Sequence, residues 1–488
     1  MPWRDVIAPV QMARVALVAP ERSLRDMLVA VAAAAAVEID DRGAQQDLSG
    51  HVLHEPHAVP AGQAIVPALA AAAPDLDALE RSERRDLLAG EAELQAHARA
   101  AVHGQGACAL AGWIPAGRLA GLTARLAEIG CAVVPLPYPP AVQAPTLLPG
   151  PPARRALAPL VSTYGTVPYA DIDPTWLAWA SYVLMFGMMF GDAGHGLLLV
   201  AAALCLRAGW PGWARGLRGA WPFVAGAGLA ATAFGVAYGE FFGPTGLVPA
   251  LWLEPLSSPM PLLAAAVGAG AVLLACAYAL GTVNRWREGG WRLALYAPSG
   301  IAGSALFLGI GLAVGGWYVG YDVLLAVGAV IAAAGLGLAL AGFAAEAGGG
   351  GTGAVQAVVE LFDLVIRLGS NVVSFARLAA FGLTHAAIGL LVWEGTRALW
   401  HRGGALTVLA VLVFVVGNAV AFALEALVAA IQALRLEYYE LFSRVFITQG
   451  RPFRPWSVRV VTDGDGPAAA GVPVCAKAEE LIPGKRGA

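Results

Sequence analysis

Two arginines stand inside long apolar runs near the C-terminus: Arg377 in the stretch from Ser370 to His385, and Arg435 in the stretch from Leu424 to Leu436. A guanidinium keeps its proton at any physiological pH. On insertion scales a charge at the centre of a membrane helix costs roughly 2.5–3.5 kcal/mol, so it is retained where it faces protein, water or a partner carboxylate. A fixed cation in an apolar layer points to ion handling. The competing reading is that each arginine snorkels to an interface, which suits Arg435, near the end of its run, better than Arg377. Around Arg377 lie Ala379, Ala380, Gly382, Ala386 and Ala387, small residues that admit close approach of another helix or serve internal packing.

The neighbours of the arginines extend the set. His385 is eight residues after Arg377, about two turns along and about 80° around the same helix. An imidazole titrates near neutrality and can relay protons, or it can be a hydrogen-bonded structural group. Glu425, ten residues before Arg435, is a carboxylate in an otherwise apolar run and a functional candidate on that ground, with a packing hydrogen bond as the alternative. Gln432, one turn before Arg435, can orient a guanidinium or a water. These five form the expected ion-translocation set. Asp192 and His195 lie between Gly191, Gly194 and Gly196, where glycine suits a tight turn. Capping is the favoured reading there, and lining of an aqueous vestibule the other. Glu240 and Ser374 are further possible lining residues, and Thr384 and Asn418 weaker ones. No GxxxxGK[ST], HExxH, GxSxG or Cys/His metal pattern occurs, so no catalytic residue, cofactor or metal is expected.

The elements that must hold these residues are membrane helices. The chain is 58% hydrophobic and 13% charged over 488 residues, with mean hydropathy +0.65. Eight crossings are expected, near Trp176–Phe190, Ala193–Leu206, Trp221–Tyr238, Pro261–Val283, Leu293–Gly316, Val323–Ala345, Val372–Thr396 and Leu406–Leu434. Reading Trp176–Leu206 as a hairpin puts Arg207, Arg215, Arg218, Arg285, Arg287, Arg292, Arg444, Arg451, Arg454 and Arg459 on one side. The opposite loops, Glu240–Pro259 and Trp317–Asp322, contain no Arg or Lys. By the positive-inside rule both termini are cytoplasmic, with Arg397 and Arg402 as exceptions. The last two helical patterns, Ala354–Thr396 and Ala405–Phe446, are longer than a bilayer needs and must tilt or project.

Residues 1–138 read as a cytoplasmic α+β domain built from two strand–helix–strand units, of split or ferredoxin-like type. The units are Ala13–Ala19, Glu21–Ala36 and Val37–Asp40, then Ala107–Trp113, Ala116–Ile129 and Ala132–Leu136, with an exposed helix over Asp75–Val102 between them. Residues 139–172 read as a linker, proline-rich over Pro139–Pro159, residues 173–446 as the membrane domain, and 447–488 as a cytoplasmic tail. Five cysteines with no CxxC pair argue against a disulfide framework or zinc site. The first thirty residues do not read as a signal peptide. A net charge of −3 without a basic cluster gives no sign of nucleic-acid binding.

Three motifs in order then carry a resemblance. They are Tyr164-Gly-Thr-Val-Pro-Tyr with Asp171-Ile-Asp-Pro-Thr and Phe186-Gly-Met-Met-Phe-Gly-Asp-Ala-Gly-His-Gly; Ser374-Phe-Ala-Arg-Leu-Ala-Ala-Phe-Gly-Leu-Thr-His; and Leu434-Arg-Leu-Glu-Tyr-Tyr-Glu-Leu-Phe-Ser-Arg-Val-Phe. Together they resemble subunit a (subunit I) of the V-type and A-type rotary ATPases, and Gly112-Trp-Ile-Pro is a weaker echo. The resemblance implies a membrane stator facing a ring of c (K) subunits, each with a carboxylate, which H⁺ or Na⁺ reaches through two half-channels separated by the arginine pair. It further implies peripheral-stalk partners of E/G type, a central-stalk collar partner of d/C type, and placement in a prokaryotic plasma membrane. The soluble part is short for that family, which implies a smaller stalk contact. The rival function is a secondary ion-coupled transporter, which predicts an internal repeat; the two arginine motifs lie instead on adjacent helices.

Overall fold

A computed structural model of the chain describes residues 9–40, 65–137, 143–148, 157–158, 160–161, 163–348, 350–446 and 450–461. It divides into two compact units, one of 10–147 with the chain from 450 onward, the other of 148–449 with the first nine residues.

In the first unit, β1 (Met12–Pro20) alternates in burial, with Val15, Leu17 and Ala19 turned inward, as a strand covered on one face does. The helix α1 (Leu24–Ala34) places Leu24, Met27, Leu28 and Val31 on one buried stripe. β2 (Glu38–Ile39) follows, and after it β3 (Ala68–Ala70), α2 (Leu76–Arg81), α3 (Arg85–Arg99), β4 (Val102–Gly104), β5 (Ala107–Pro115), α4 (Leu119–Glu128) and β6 (Ala132–Pro135). The sheet runs β2-β5-β1-β6, with β4 beside β5. β1 is antiparallel to both neighbours, pairing Met12 with Pro115 at one end and Pro20 with Ala107 at the other. Two strand–helix–strand units interleave their strands in this order.

Three expectations change here. The segment read as one exposed helix, Asp75–Val102, is two, and α3 is partly buried through Leu87, Gly90, Glu91 and Leu94. Gly90 is needed for this, because a Cβ there would lie 2.0 Å from the Ala68 carbonyl oxygen. The segment read as a tail begins inside the domain: β7 (Arg459–Val461) pairs in parallel with β3. Part of the expected linker is held too, since Thr146 N donates to Arg451 O at 2.6 Å and Phe453 N to Thr146 O at 3.0 Å. The buried carboxylate of Glu38 ties the returning chain down, accepting from Arg454 N at 2.7 Å and facing Arg451 Nη1 at 3.0 Å. Most of the Pro139–Pro159 linker, and Cys475 with the rest of the expected tail, lie outside the described residues.

The second unit is helical: α5 (Thr175–Met189), α6 (Ala193–Ala208), α7 (Trp221–Tyr238), α8 (Pro259–Tyr296), α9 (Ile301–Val319), α10 (Asp322–Glu346), α11 (Gly350–Ser374), α12 (Ala376–Trp400) and α13 (Ala405–Leu436). Among the described residues, six spans are long and apolar enough to cross a membrane, α11 with α12 counting as one, and α5 and α6 are shorter apolar helices. The chain is a multi-pass membrane protein. At 15 and 16 residues, α5 and α6 are about 22–24 Å long, short of a hydrocarbon core of about 30 Å. They break at Phe190–Asp192 and pack on α7 through glycine: a Cβ on Gly235 would meet Ala193 N at 2.0 Å. The expected fifth crossing began too early. Leu293–Tyr296 belongs to α8, which bends at Gly290 (φ 70°), and α9 starts after Pro298, whose missing N–H suits a helix boundary.

The expected seventh helix is divided. α11 ends at Ser374 and α12 begins at Ala376, with Phe375 between them fully buried. Its N–H bonds Val372 O at 3.2 Å, and Leu378 N bonds Phe375 O at 3.0 Å. These i→i−3 bonds tighten the backbone at the junction, and the ring sinks into the notch left by Gly270 of α8. After α13 the chain continues through a π-helical turn, Glu437–Phe442.

Two expectations follow. Burial holds the Glu38 carboxyl above its ordinary 4.5, against the opposing pull of the Arg454 N–H and the Arg451 charge. The folded unit then binds that proton more tightly than the unfolded chain, so the stability from Glu38 is greatest in acid and is lost as pH rises past 4.5. Glu38→Gln keeps an acceptor oxygen and removes the titration; it should gain stability relative to the parent as pH rises past 4.5, read from denaturant midpoints, and a constant difference would contradict this. Gly270→Ala would put a methyl 2.1 Å from Phe375 Cγ and should destabilise by about 1–3 kcal/mol, measured by thermal unfolding in detergent.

Candidate functional site

Arg377 lies in the first turn of α12, half-buried, two residues beyond the tightened junction. Its Nη1 is buried and has no hydrogen-bond partner among the described residues, and the same holds for Oε1 of Gln432 on α13. Arg435, one turn from Gln432, is exposed. The two arginines are near enough to repel, and Glu440 is the acidic group that offsets Arg377. Ser374 is half-buried just before the junction. A buried donor and a buried acceptor are thus left open beside an exposed cation. Such groups cost about 1–3 kcal/mol each when unsatisfied and suit a partner supplied from outside the chain.

On one flank sits a polar group that sequence reasoning missed. With its amide oriented to satisfy its neighbours, Asn371 of α11 donates to Glu440 Oε2 at 2.9 Å and to Arg367 O at 3.0 Å, and accepts from Arg444 Nη2 at 2.8 Å. The Arg444 guanidinium lies over the Tyr278 ring at 5.6 Å. Only the crowding of charge after Arg435 in the sequence hints at this group. Glu437 was missed as well; it is almost wholly buried and accepts from Ser181 Oγ of α5 at 2.6 Å.

Further along the same helices a second cluster forms. His385 is buried, and its Nδ1 bonds Glu425 Oε2 across the α12–α13 pair. Eight residues separate Arg377 from His385 and ten separate Glu425 from Arg435, so the clusters are roughly 12–15 Å apart along the axes. Asp192 caps α6: its Oδ1 accepts from His195 N at 2.8 Å and Phe242 N at 3.0 Å, and its Oδ2 from Gly243 N at 2.8 Å. The capping reading holds for Asp192. His195 behaves differently. Its ring turns into the cluster, 5.7 Å from His385 between centroids, among Phe190, Phe242 and Phe422. Asn418, whose amide donates to Phe414 O, faces the ring, yet neither ring nitrogen has a well-formed hydrogen bond.

Glu240 is buried just beyond α7, with Oε2 unpaired among the described residues. It borders a cavity of about 390 Å³ lined also by Tyr238, Pro244, Glu254, Ser257 and Leu390. Thr384 is not drawn in: it is exposed and bonds Ala380 O within its own helix. The Asp171-Ile-Asp-Pro-Thr segment serves as a latch before α5. Ile172 N donates to Asn284 Oδ1 at 3.0 Å, Asp171 stands 4.0 Å from Arg285, and Asp173 accepts from Thr175 N at 2.9 Å.

The profile of the V-type ATPase 116kDa subunit family matches residues 105–209, which run from β5 through α6. Among curated proteins, the A-type ATP synthase subunit I of Pyrococcus horikoshii is 27% identical over 314 residues, covering 62% of this chain and 45% of that protein. The Aeropyrum pernix protein of the same name is 29% identical over 378 residues, 67% and 52%. That of Archaeoglobus fulgidus is 27% identical over 406 residues, 71% and 58%. The chain spans about half the length of the curated relatives it matches. Three ordered motifs and similarity along most of its own length lead to one conclusion: the chain is similar to the A-type ATP synthase subunit I proteins, and over residues 105–209 to the V-type ATPase 116kDa subunit family.

Proposed function

We propose that this chain is the membrane stator of an A/V-type rotary ATPase, and that Arg377, with Arg435, faces the carboxylates of a rotating ring as H⁺ or Na⁺ crosses the membrane. The observation that carries the reading is the open guanidinium of Arg377: a permanent cation in a membrane helix with a buried donor unpaired among the described residues. A passing carboxylate from a ring subunit would complete it. Opposite charge nearby favours the ionised form of a carboxylate, so the ring site releases its ion on meeting Arg377 and rebinds one on leaving.

Two polar clusters displaced along the axes on either side of the arginines support two half-channels. The Asn371, Glu440 and Arg444 group would serve the cytoplasmic side, and the His385, Glu425 and Glu240 group the outer side. The cation between them blocks ions from passing directly. Nucleotide chemistry then belongs to other subunits, since no phosphate-binding loop occurs in the sequence. In this arrangement the 10–147 unit contacts the peripheral stalks (E/G type) and a central-stalk collar (d/C type). Both termini are cytoplasmic, in a prokaryotic plasma membrane.

Arg377→Ala should abolish ATP-driven ion pumping in reconstituted vesicles while the complex still assembles. Arg377→Lys should also be poor, because an ammonium lacks the planar fork and loses its proton when desolvated. Arg435→Ala should leave partial activity, since it lies nearer the cytoplasmic end where water can substitute, and Glu425→Gln should slow pumping without full uncoupling. Parental pumping by Arg377→Ala would sink the mechanism. For topology, a membrane-impermeant maleimide should label Ser257→Cys in intact cells and Arg215→Cys only after permeabilisation; the reverse pattern would invert the orientation.

A further inference from the structure

The outer cluster contains groups that packing alone does not explain. His195 is 3% exposed, and neither ring nitrogen makes a well-formed hydrogen bond among the described residues, with Asn418 facing the ring and Asp192 Oδ1 3.8 Å from Nδ1; one oxygen each of Glu240 and Glu425 is buried without a partner there. Asp192, His195 and His385 each bring one ligand-type atom within 4.8 Å of the other two, a spacing that modest side-chain shifts would close onto a single ion. His385 gives Nδ1 to Glu425, which leaves Nε2. A carboxylate behind an imidazole in this way fixes the tautomer and orientation of metal-binding histidines. Asp192 Oδ1 already accepts two N–H groups, while Oδ2 accepts one and keeps a lone pair.

The charged groups acting on these side chains are the carboxylates of Asp192 before α6, Glu240 beyond α7 and Glu425 on α13; no arginine figures among them. The site is therefore cation-attracting, with two imidazoles and a carboxylate as nearest donors. That mixture suits zinc, which takes His nitrogen and Asp oxygen at about 2.0–2.2 Å in tetrahedral geometry, better than Ca²⁺ or Mg²⁺, which take oxygen sets.

We propose that Asp192, His195 and His385 form a divalent transition-metal site of zinc type, with Glu425 supporting His385 and the cavity beside Glu240 as its entrance. Water or Glu240 completes the fourth position. The ligands come from distant points in the chain, so no metal motif marks the sequence. The consequence rests on the proposed function: zinc entering from the outer face ties down His385 and reversibly arrests the outer half-channel.

The test uses Zn²⁺ alone on the purified protein, in a background where His51, His54, His57 and His103 are alanine, so that these imidazoles cannot compete for the metal. Calorimetry should show one tight site that His195→Gln and His385→Gln each weaken at least about tenfold and Glu425→Gln by about 10–100-fold. Zinc-edge X-ray absorption on the protein with its cluster intact should show two imidazole nitrogens with oxygen; it needs no cluster variant, so a folding defect cannot mask the answer. Unchanged zinc affinity in His195→Gln, or a bound zinc lacking the imidazole pair, overturns the site. Zinc binding here without inhibition of pumping sustains the site and counts against the half-channel. Loss of pumping in Arg377→Ala with no zinc binding overturns the site alone.

Discussion

A cation held in an apolar helix with one donor left open is the constraint around which the membrane unit is arranged. Arg377 cannot be neutralised by losing a proton, and among the described residues nothing satisfies its buried Nη1. The chain therefore supports the guanidinium from behind and leaves its front free. Support comes from the junction at Phe375, whose ring fills the notch at Gly270 and fixes where α12 begins. Relief comes from Glu440, itself held by Asn371.

The second cluster follows a different logic. Around Arg377 a charge is kept open; around His385 polar groups are packed against aromatic rings. Phe190 touches both imidazoles, with centroids at 4.9 Å from His385 and 5.6 Å from His195, and Phe422 closes on His195. Rings of this kind keep bulk water out and lower the local dielectric, which strengthens each remaining electrostatic contact. Asp192 joins this cluster to the chain's architecture, since the carboxylate that caps α6 also pins the loop after α7 through Phe242 and Gly243.

Much of the fold was legible because its signals are local. Apolar runs located most of the helical segments, though not the division at Phe375, and alternation located β1 and β5. The pairing of His385 with Glu425 could not be read, since it joins residues 40 apart, although both were singled out separately. What failed to show depends on contacts distant in sequence. β3 and β7 are three residues each and are strands only because they pair across the chain. The break at Phe375 has no proline or glycine at the junction to announce it; the cause is a glycine on another helix. Glu437 lies in a charge-rich stretch, and only the path of the helix buries it.

That path is the π-helical turn at Glu437–Phe442. A π-turn accommodates one residue more than the α-helical ladder would, so it resets the angular phase of everything after it. Glu437 on the near side meets Ser181 of α5, while Glu440, three residues on, meets Asn371 of α11. One helix thereby addresses two different neighbours with two carboxylates. Removing a single residue here would restore the α ladder and swing the downstream side chains by about 100°, carrying Arg444 off Tyr278. The wide turn acts as a gear offset cut into the helix: sequence length at this point, as much as residue identity, sets which partners the chain beyond Arg435 engages.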